Sequence, residues 1–217
     1  MTGVQTCALP IPSPLPAIYV GEEMKGYRQW LKGTSYEAMA SLGGSFYSDK
    51  ITDYYLTPYD LGYGPFVKFD HDFVGRAALE KMAGNPKRKK VTLVWNGDDL
   101  ARVFRSLSNG DGDIAKYVDL PLANYSTLPF DKVLKGGKTV GLSTYTGYTY
   151  NERAMISLAV IDIEHSELGA ELTLVWGEEG RGSSKPTVER HAQAEIRATV
   201  APVPIAEVAR VAYRPHM

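Results

Sequence analysis

The chain has 217 residues, with 24 basic against 25 acidic side chains and a formal net charge of −1, which leaves no electrostatic case for binding nucleic acid. Its 44% hydrophobic and 23% charged content is globular in kind and excludes wholesale disorder. One cysteine, Cys7, excludes an intrachain disulfide and a cysteine-rich zinc site, and no apolar run approaches the roughly 18 residues of a membrane span. The length suits one large domain or two small ones.

Residues 1–11 carry no charge and no helical or strand period. They lack the positive start and long apolar centre of a signal peptide. Two readings stand. The segment is non-native and adapter-like, so that the chain proper starts near Pro12 and is the end of something longer; or it is a native disordered terminus. Residues 12–16 hold three prolines and must be extended.

Gly21, Glu22 and Glu23 open a helix, with acids in the first turn where the dipole favours them. Met24, Tyr27, Trp30 and Leu31 share one face, and Gly33 stops it. A second short helix is predicted over 35–42, ended by Gly43 and Gly44. Residues 45–70 are rich in aromatics. Thr57-Pro58-Tyr59-Asp60 signals a turn, and residues 61–69 read as a strand interrupted by Gly62 and Gly64. A helix over 76–82 follows, closed by Gly84 and Pro86.

The character changes after Pro86. The basic run Lys87-Arg88-Lys89-Lys90 leads a strand over 91–95, Asn96-Gly97 reads as a turn, and a helix over 98–107 turns Leu100, Val103, Phe104 and Leu107 inward. Further strands are predicted over 132–134, 139–145, 155–161, 171–176 and 191–200, with turns at Gly136-Gly137, 167–169 and 177–184. Short strands spaced by turns argue an antiparallel sheet or barrel. The fold class is thus α+β: an α/β part to about residue 72, then a mostly β module.

No known chemical motif carries the function. The four histidines, at 71, 165, 191 and 216, match no metal-ligand spacing, and there is no nucleophile elbow, P-loop or dinucleotide fingerprint. His71-Asp72 reads as a surface pair. The basic run 87–90 reads as a solvated strand entry before a contact to phosphate or polyglutamate. Asn124-Tyr125-Ser126 matches a glycosylation sequon, with nothing in the sequence to support secretion. Two tyrosine clusters stand out, one over 54–69 and one at Tyr145, Tyr148 and Tyr150 beside Glu152-Arg153. Tyrosine offers a flat face and a hydroxyl, suited to a stacked heteroaromatic ring or equally to a half-buried β core.

A family resemblance goes further. Thr57-Pro58-Tyr59-Asp60-Leu61-Gly62-Tyr63-Gly64, followed by Asp72-Phe73-Val74-Gly75-Arg76, resembles the aminomethyltransferase (glycine cleavage T-protein) superfamily. Lys138-Thr139-Val140-Gly141-Leu142-Ser143-Thr144, Met155-Ile156-Ser157-Leu158-Ala159 and the closing Val200-Ala201-Pro202-Val203-Pro204 resemble its C-terminal barrel. Longer strings, among them Tyr27-Arg28-Gln29-Trp30-Leu31, Asp119-Leu120-Pro121-Leu122-Ala123-Asn124-Tyr125, Tyr148-Thr149-Tyr150-Asn151-Glu152-Arg153 and Thr187-Val188-Glu189-Arg190-His191, resemble its tetrahydrofolate-dependent aryl O-demethylase branch. The resemblance runs from about Pro12 to Pro204.

What the resemblance implies is specific. Residues 12–72 are the end of a folate-binding core, and residues 73–217 are a C-terminal β-barrel domain. The cofactor is tetrahydrofolate. The small-molecule partner is a methoxylated aromatic acid such as vanillate, 3-O-methylgallate or syringate, met in the breakdown of lignin aromatics. Location is cytoplasmic, and neither metal, membrane nor nucleic acid takes part. Asp60, Tyr59 and Tyr63 are expected as folate-side supports, with Tyr148, Glu152 and Arg153 as barrel residues near the cleft. The catalytic residues are expected in an N-terminal part, so this chain alone is expected to be inactive. An aminomethyl carrier, another one-carbon transferase and a non-catalytic folate-binding module are the alternatives. The family's folate-contacting arginine has no counterpart in Met39-Ala40-Ser41-Leu42-Gly43-Gly44, which leaves that contact in doubt.

Overall fold

Strands of alternating inward apolar and outward polar residues leave one face to bury, and closing the sheet on itself buries that face without leaving edges. The computed structural model, described for residues 22–30, 42–48, 51–108, 112–125, 128–182 and 188–211, contains such a closed barrel. Two compact units are present. One comprises residues 1–41 and 47–89; the other comprises residues 42–46 and 90–217.

In the first unit, a 3-10 turn over Glu22–Met24 leads into α1 (Lys25–Trp30), with Glu22 and Glu23 in the first turn. Trp30 keeps 70% of its surface exposed. The helix expected over 35–42 lies outside the described residues up to 41, and Leu42 itself stands in a strand. The strand expected over 61–69 does not form. Its amides are satisfied locally instead: Leu61 N–H donates to the Thr57 carbonyl, Tyr63 to Pro58, Phe66 to Tyr63 and Val67 to Gly64. A 3-10 turn at Gly64–Phe66 results. Aromatic density gave this stretch its strand-like look, but the turn residues decide it. The predicted helix α2 (Arg76–Met82) is present, with Leu79 buried.

The second unit is the barrel. Its strands are β2 (Arg88–Trp95, whose first two residues belong to the other unit), β4 (Asp131–Lys135), β5 (Lys138–Thr149), β6 (Ala154–Asp162), β7 (Glu171–Trp176) and β8 (Ala194–Ala201). They close in the order β2-β6-β5-β4-β7-β8. The pairs β2–β8, β4–β5, β4–β7, β5–β6 and β7–β8 are antiparallel. A separate two-strand pair joins β1 (Leu42–Gly43) to β3 (Leu128–Pro129) in parallel. Every predicted β-module strand is found, most of them longer than expected. β7 has the expected bounds, and the strand expected over 191–200 starts later, at Ala194. A terminal helix, α4 (Glu207–Val211), was not anticipated.

Leu93, Val133, Ile161, Leu174 and Ile196 are all fully buried in the interior. Each contributes about 1.5–3 kcal/mol by leaving water. Trp95 packs edge-on against Trp176 at 5.5 Å between ring centroids, and its indole N–H donates to Ser157 Oγ at 3.1 Å. Gly141 lies where β5 crosses Ile161 of β6, and a Cβ there would press on the Val160 carbonyl. Only glycine allows that approach.

Helix α3 (Gly97–Ser108) corrects the turn expected at Asn96-Gly97. Asn96 is the helix cap: its Oδ1 accepts the amides of Asp98 and Asp99 at 3.1 and 3.0 Å. Asp99 then turns inward and is buried. Its carboxylate accepts the Arg197 main-chain amide at 2.9 Å, Arg197 Nε at 2.8 Å and Arg102 Nη2 at 2.7 Å, which ties α3 to β8. The Arg197 side chain holds the Asp99 carboxyl well below the usual carboxylate range. A depressed value adds stability above the ordinary aspartate range and loses it as pH falls through the folded value. Asp99→Asn should lower unfolding free energy at pH 7 by about 2 kcal/mol. Denaturant midpoints at pH 7 and pH 3 check this: the variant should lose less on acidification than the parent.

Candidate functional site

The threonine-proline turn of the first unit is built by reciprocal bonds. Thr57 N–H donates to Asp60 Oδ2 at 2.8 Å, and Asp60 N–H donates to Thr57 Oγ1 at 3.2 Å. Pro58 between them has its φ already set for the turn. Asp60 is buried, and its Oδ2 also accepts Arg88 Nη2 at 2.8 Å, while the same nitrogen donates to the Tyr55 carbonyl at 3.1 Å. Arg88 therefore does more than enter a strand within a basic run: it locks this turn. Tyr59 is half-buried and donates its hydroxyl to the Leu79 carbonyl at 3.1 Å, binding the turn to α2. Tyr63, beyond the turn, keeps 40% of its surface exposed. Nearby, His71 Nδ1 meets Asp70, not Asp72, at 2.7 Å, and that bond lowers the Asp70 carboxyl.

Tyr148, Glu152 and Arg153 lie on the barrel unit at the β5–β6 hairpin. Tyr148 N–H donates to the Pro121 carbonyl at 2.7 Å, and the side chain is 39% exposed. Glu152 and Arg153 are exposed in the turn, with Arg153 at φ 49°. The six expected residues thus fall into two groups, three in or just after one turn of the first unit and three on one hairpin of the second.

Sequence reasoning did not find the densest polar cluster of the barrel unit. Lys116 is buried, and its Nζ donates to both Glu178 carboxylate oxygens at 2.9 and 2.8 Å. It also lies 4.9 Å from the Tyr125 ring centre and 5.1 Å from that of Trp176. The Trp176 indole donates to the Lys116 carbonyl at 2.9 Å. Glu178 N–H donates to His191 Nε2 at 2.9 Å, so the ring hydrogen sits on Nδ1 and points to the Glu189 carbonyl at 2.8 Å. Next to this group, Asp131 accepts the Ser45 amide at 3.0 Å. Burial pushes the Asp131 carboxyl up to about 7, against the pull of the Ser45 amide and Lys116. Burial also pushes Glu178 up, but its bonds to Lys116 outweigh that and hold it below the ordinary glutamate value. No spacing rule links positions 116, 131, 178 and 191, so only the fold brings them together.

A groove of about 500 Å³ runs between α3 and β8, lined by Asp99, Arg102, Ser106, Gln193 and Arg197. Arg102 and Arg197 there are both bound to Asp99. Among the described residues, no three His, Cys, Asp or Glu gather closely enough to hold a metal ion.

No protein-family model matches the chain. Syringate O-demethylase from a Sphingobium strain is 49% identical to it over 203 residues, covering 94% of this chain and 44% of that protein. Sesamin methylene transferase from a Sinomonas strain is 38% identical over 160 residues, 69% of this chain and 33% of that protein. An aminomethyltransferase of Streptomyces coelicolor is 34% identical over 137 residues, 60% of this chain and 29% of that protein. The chain spans less than half the length of these curated relatives.

Removing Asp60 would free the Thr57 amide and leave Arg88 without its carboxylate. Asp60→Ala should therefore loosen the turn by more than 1.4 kcal/mol, a factor of about ten in local opening. Limited proteolysis read by mass spectrometry should show cleavage within 57–66 at least about tenfold faster than in the parent.

Proposed function

We propose that this chain, a homologue of the aminomethyltransferase superfamily, works within a tetrahydrofolate-dependent aryl O-demethylase that takes a methyl group from a methoxylated aromatic acid. The observation that carries this reading is 49% identity to a syringate O-demethylase over 94% of the chain. Syringate, vanillate and 3-O-methylgallate are the substrates proposed, and the cytoplasm, where reduced folates circulate, is the location. Among the described residues, no helix is long and apolar enough to cross a membrane.

Tetrahydrofolate, when bound, supplies the N5 nitrogen that accepts the methyl group. The chain's own residues have simpler tasks. Tyr63 and Tyr148, with 40% and 39% of their surfaces open, have ring area to offer a flat heteroaromatic ligand. Asp60 is engaged by Thr57 and Arg88, so it supports the turn that carries Tyr63 and is not itself a ligand contact. Tyr59 supports the same turn through Leu79. Glu152 and Arg153 are exposed and suit the polar edge or carboxylates of a folate. Methyl transfer also needs a hydrogen-bond donor at the ether oxygen, because an unassisted phenolate leaves poorly. None of the six residues is proposed for that role.

A second reading, transfer of a methylene or aminomethyl group, is favoured by the identities to sesamin methylene transferase and aminomethyltransferase. A chimera separates the two: this chain replaces the matching 203-residue stretch of the Sphingobium enzyme. Release of the free phenol from syringate, with formation of 5-methyltetrahydrofolate, is the expected result. A chimera that folds and binds tetrahydrofolate but leaves syringate intact would favour the second reading. The chain alone should show no turnover. Tyr148→Ala in the chimera should weaken tetrahydrofolate binding about fivefold, the loss of one stacked ring of about 1 kcal/mol.

A further inference from the structure

Residues Leu42–Phe46 belong to the barrel unit although the chain on both sides of them belongs to the other unit. The segment lies along β3 and β4 as a strap. Phe130 N–H donates to the Gly43 carbonyl at 2.7 Å, and Phe46 N–H donates to the Phe130 carbonyl at 3.0 Å. Ser45 Oγ donates to the Val175 carbonyl at 2.7 Å and accepts the Lys132 amide at 2.8 Å. Two successive amides then meet carboxylates: Gly44 N–H meets Glu178 Oε1 at 3.1 Å, and Ser45 N–H meets Asp131 Oδ1 at 3.0 Å. Gly44 sits at φ +94°, and a Cβ there would collide with the Phe130 carbonyl. Asp131, which accepts the Ser45 amide of the strap, is buried.

We infer that Leu42–Phe46 is a proton-gated strap, whose grip on the barrel is set by whether Asp131 carries its proton. The groups around Asp131 are few. Lys116 faces it from the 112–125 stretch, Glu178 from the turn after β7, and Ser143 is its register partner on β5. Among the described residues, the buried Ser143 hydroxyl has no hydrogen-bond partner. His191 touches Glu178, and Lys132 reaches Glu179 at 3.8 Å. The buried Asp131 carboxyl and the partly buried Glu178 carboxyl therefore share one buried cation. Lys116 makes both of its carboxylate bonds to Glu178, so Glu178 stays charged and Asp131 is the one that favours a proton.

Opening the strap wets Asp131 and returns it to the ordinary aspartate range. With a raised folded value, the closed strap is tightest below that ordinary range. It loosens as pH rises toward about 7 and levels off above it. Glu178 acts in the opposite sense, but only below the ordinary glutamate range.

Hydrogen exchange on the 217-residue chain between pH 5 and pH 8, corrected for intrinsic rates, tests the strap through peptides covering 42–48. The opening constant should rise with pH, by at most about tenfold per unit, and flatten above about pH 7. Asp131→Asn should abolish that dependence. Glu178→Gln removes the neighbouring negative charge and should move the midpoint to lower pH. A flat profile in the parent overturns the inference, as does a parent-like profile in Asp131→Asn, which would assign the titration to another group such as His191. Should Asp131→Asn fail to fold, an unmoved midpoint in Glu178→Gln has the same force.

Discussion

The barrel unit is organised around the burial of one cation. Taking Lys116 and Glu178 out of water costs several kcal/mol per ion unless each proton and lone pair is met. The groups that meet them come from far apart in the chain: the Gly44 amide on the Glu178 carboxylate, the His191 ring on the Glu178 main-chain amide, the faces of Tyr125 and Trp176 on the ammonium. Each of them must be in place for the pair to be tolerated. The 112–125 stretch, the end of β7, the segment before β8 and the strap are thereby held to one arrangement. The inner apolar layer supplies most of the stabilising energy, but it does not by itself decide where those loops lie.

The first unit uses the same physics on a smaller scale. Asp60 is buried and is met by Arg88 and by the amide of Thr57, so the turn it heads is rigid. Rigid turns carry exposed rings well, because the ordering cost is met before a ligand arrives. That is the sense in which carboxylates and tyrosines divide the work here. The charged groups are largely spent on geometry, while Tyr63 and Tyr148 keep 40% and 39% of their surfaces exposed.

Much of the fold was legible. Helix α2 was marked by Gly75 before it and Gly84 after it, and β7 was found with the bounds expected, because turns flank it and its apolar positions point inward. Residues 61–69 misled because aromatic density resembles a strand, whereas Thr57, Pro58 and Gly62 had already committed the backbone to local bonds. Asn96-Gly97 misled because an asparagine serves equally in a hairpin turn and at a helix cap. The next two residues decide between them, since Asp98 and Asp99 offer their amides to the Asn96 side chain. The basic run hid a specific residue: Arg88 was legible as charge, not as the partner of a carboxylate 28 positions earlier.

By itself, the sequence determined the α+β class, the succession of the barrel strands, the two tyrosine clusters and the resemblance to the aminomethyltransferase superfamily. These are written in local periods and in strings of residues, so they survive without three-dimensional information. Only the tertiary structure decided the order in which β2 and β4 to β8 close the barrel, that Asp60 is bound to Arg88, and that positions 44, 45, 116, 131, 178 and 191 come together in one polar cluster. The reason is physical. A buried charge is tolerated only where several distant groups converge on it, and convergence is a property of the folded chain that no spacing along the sequence records.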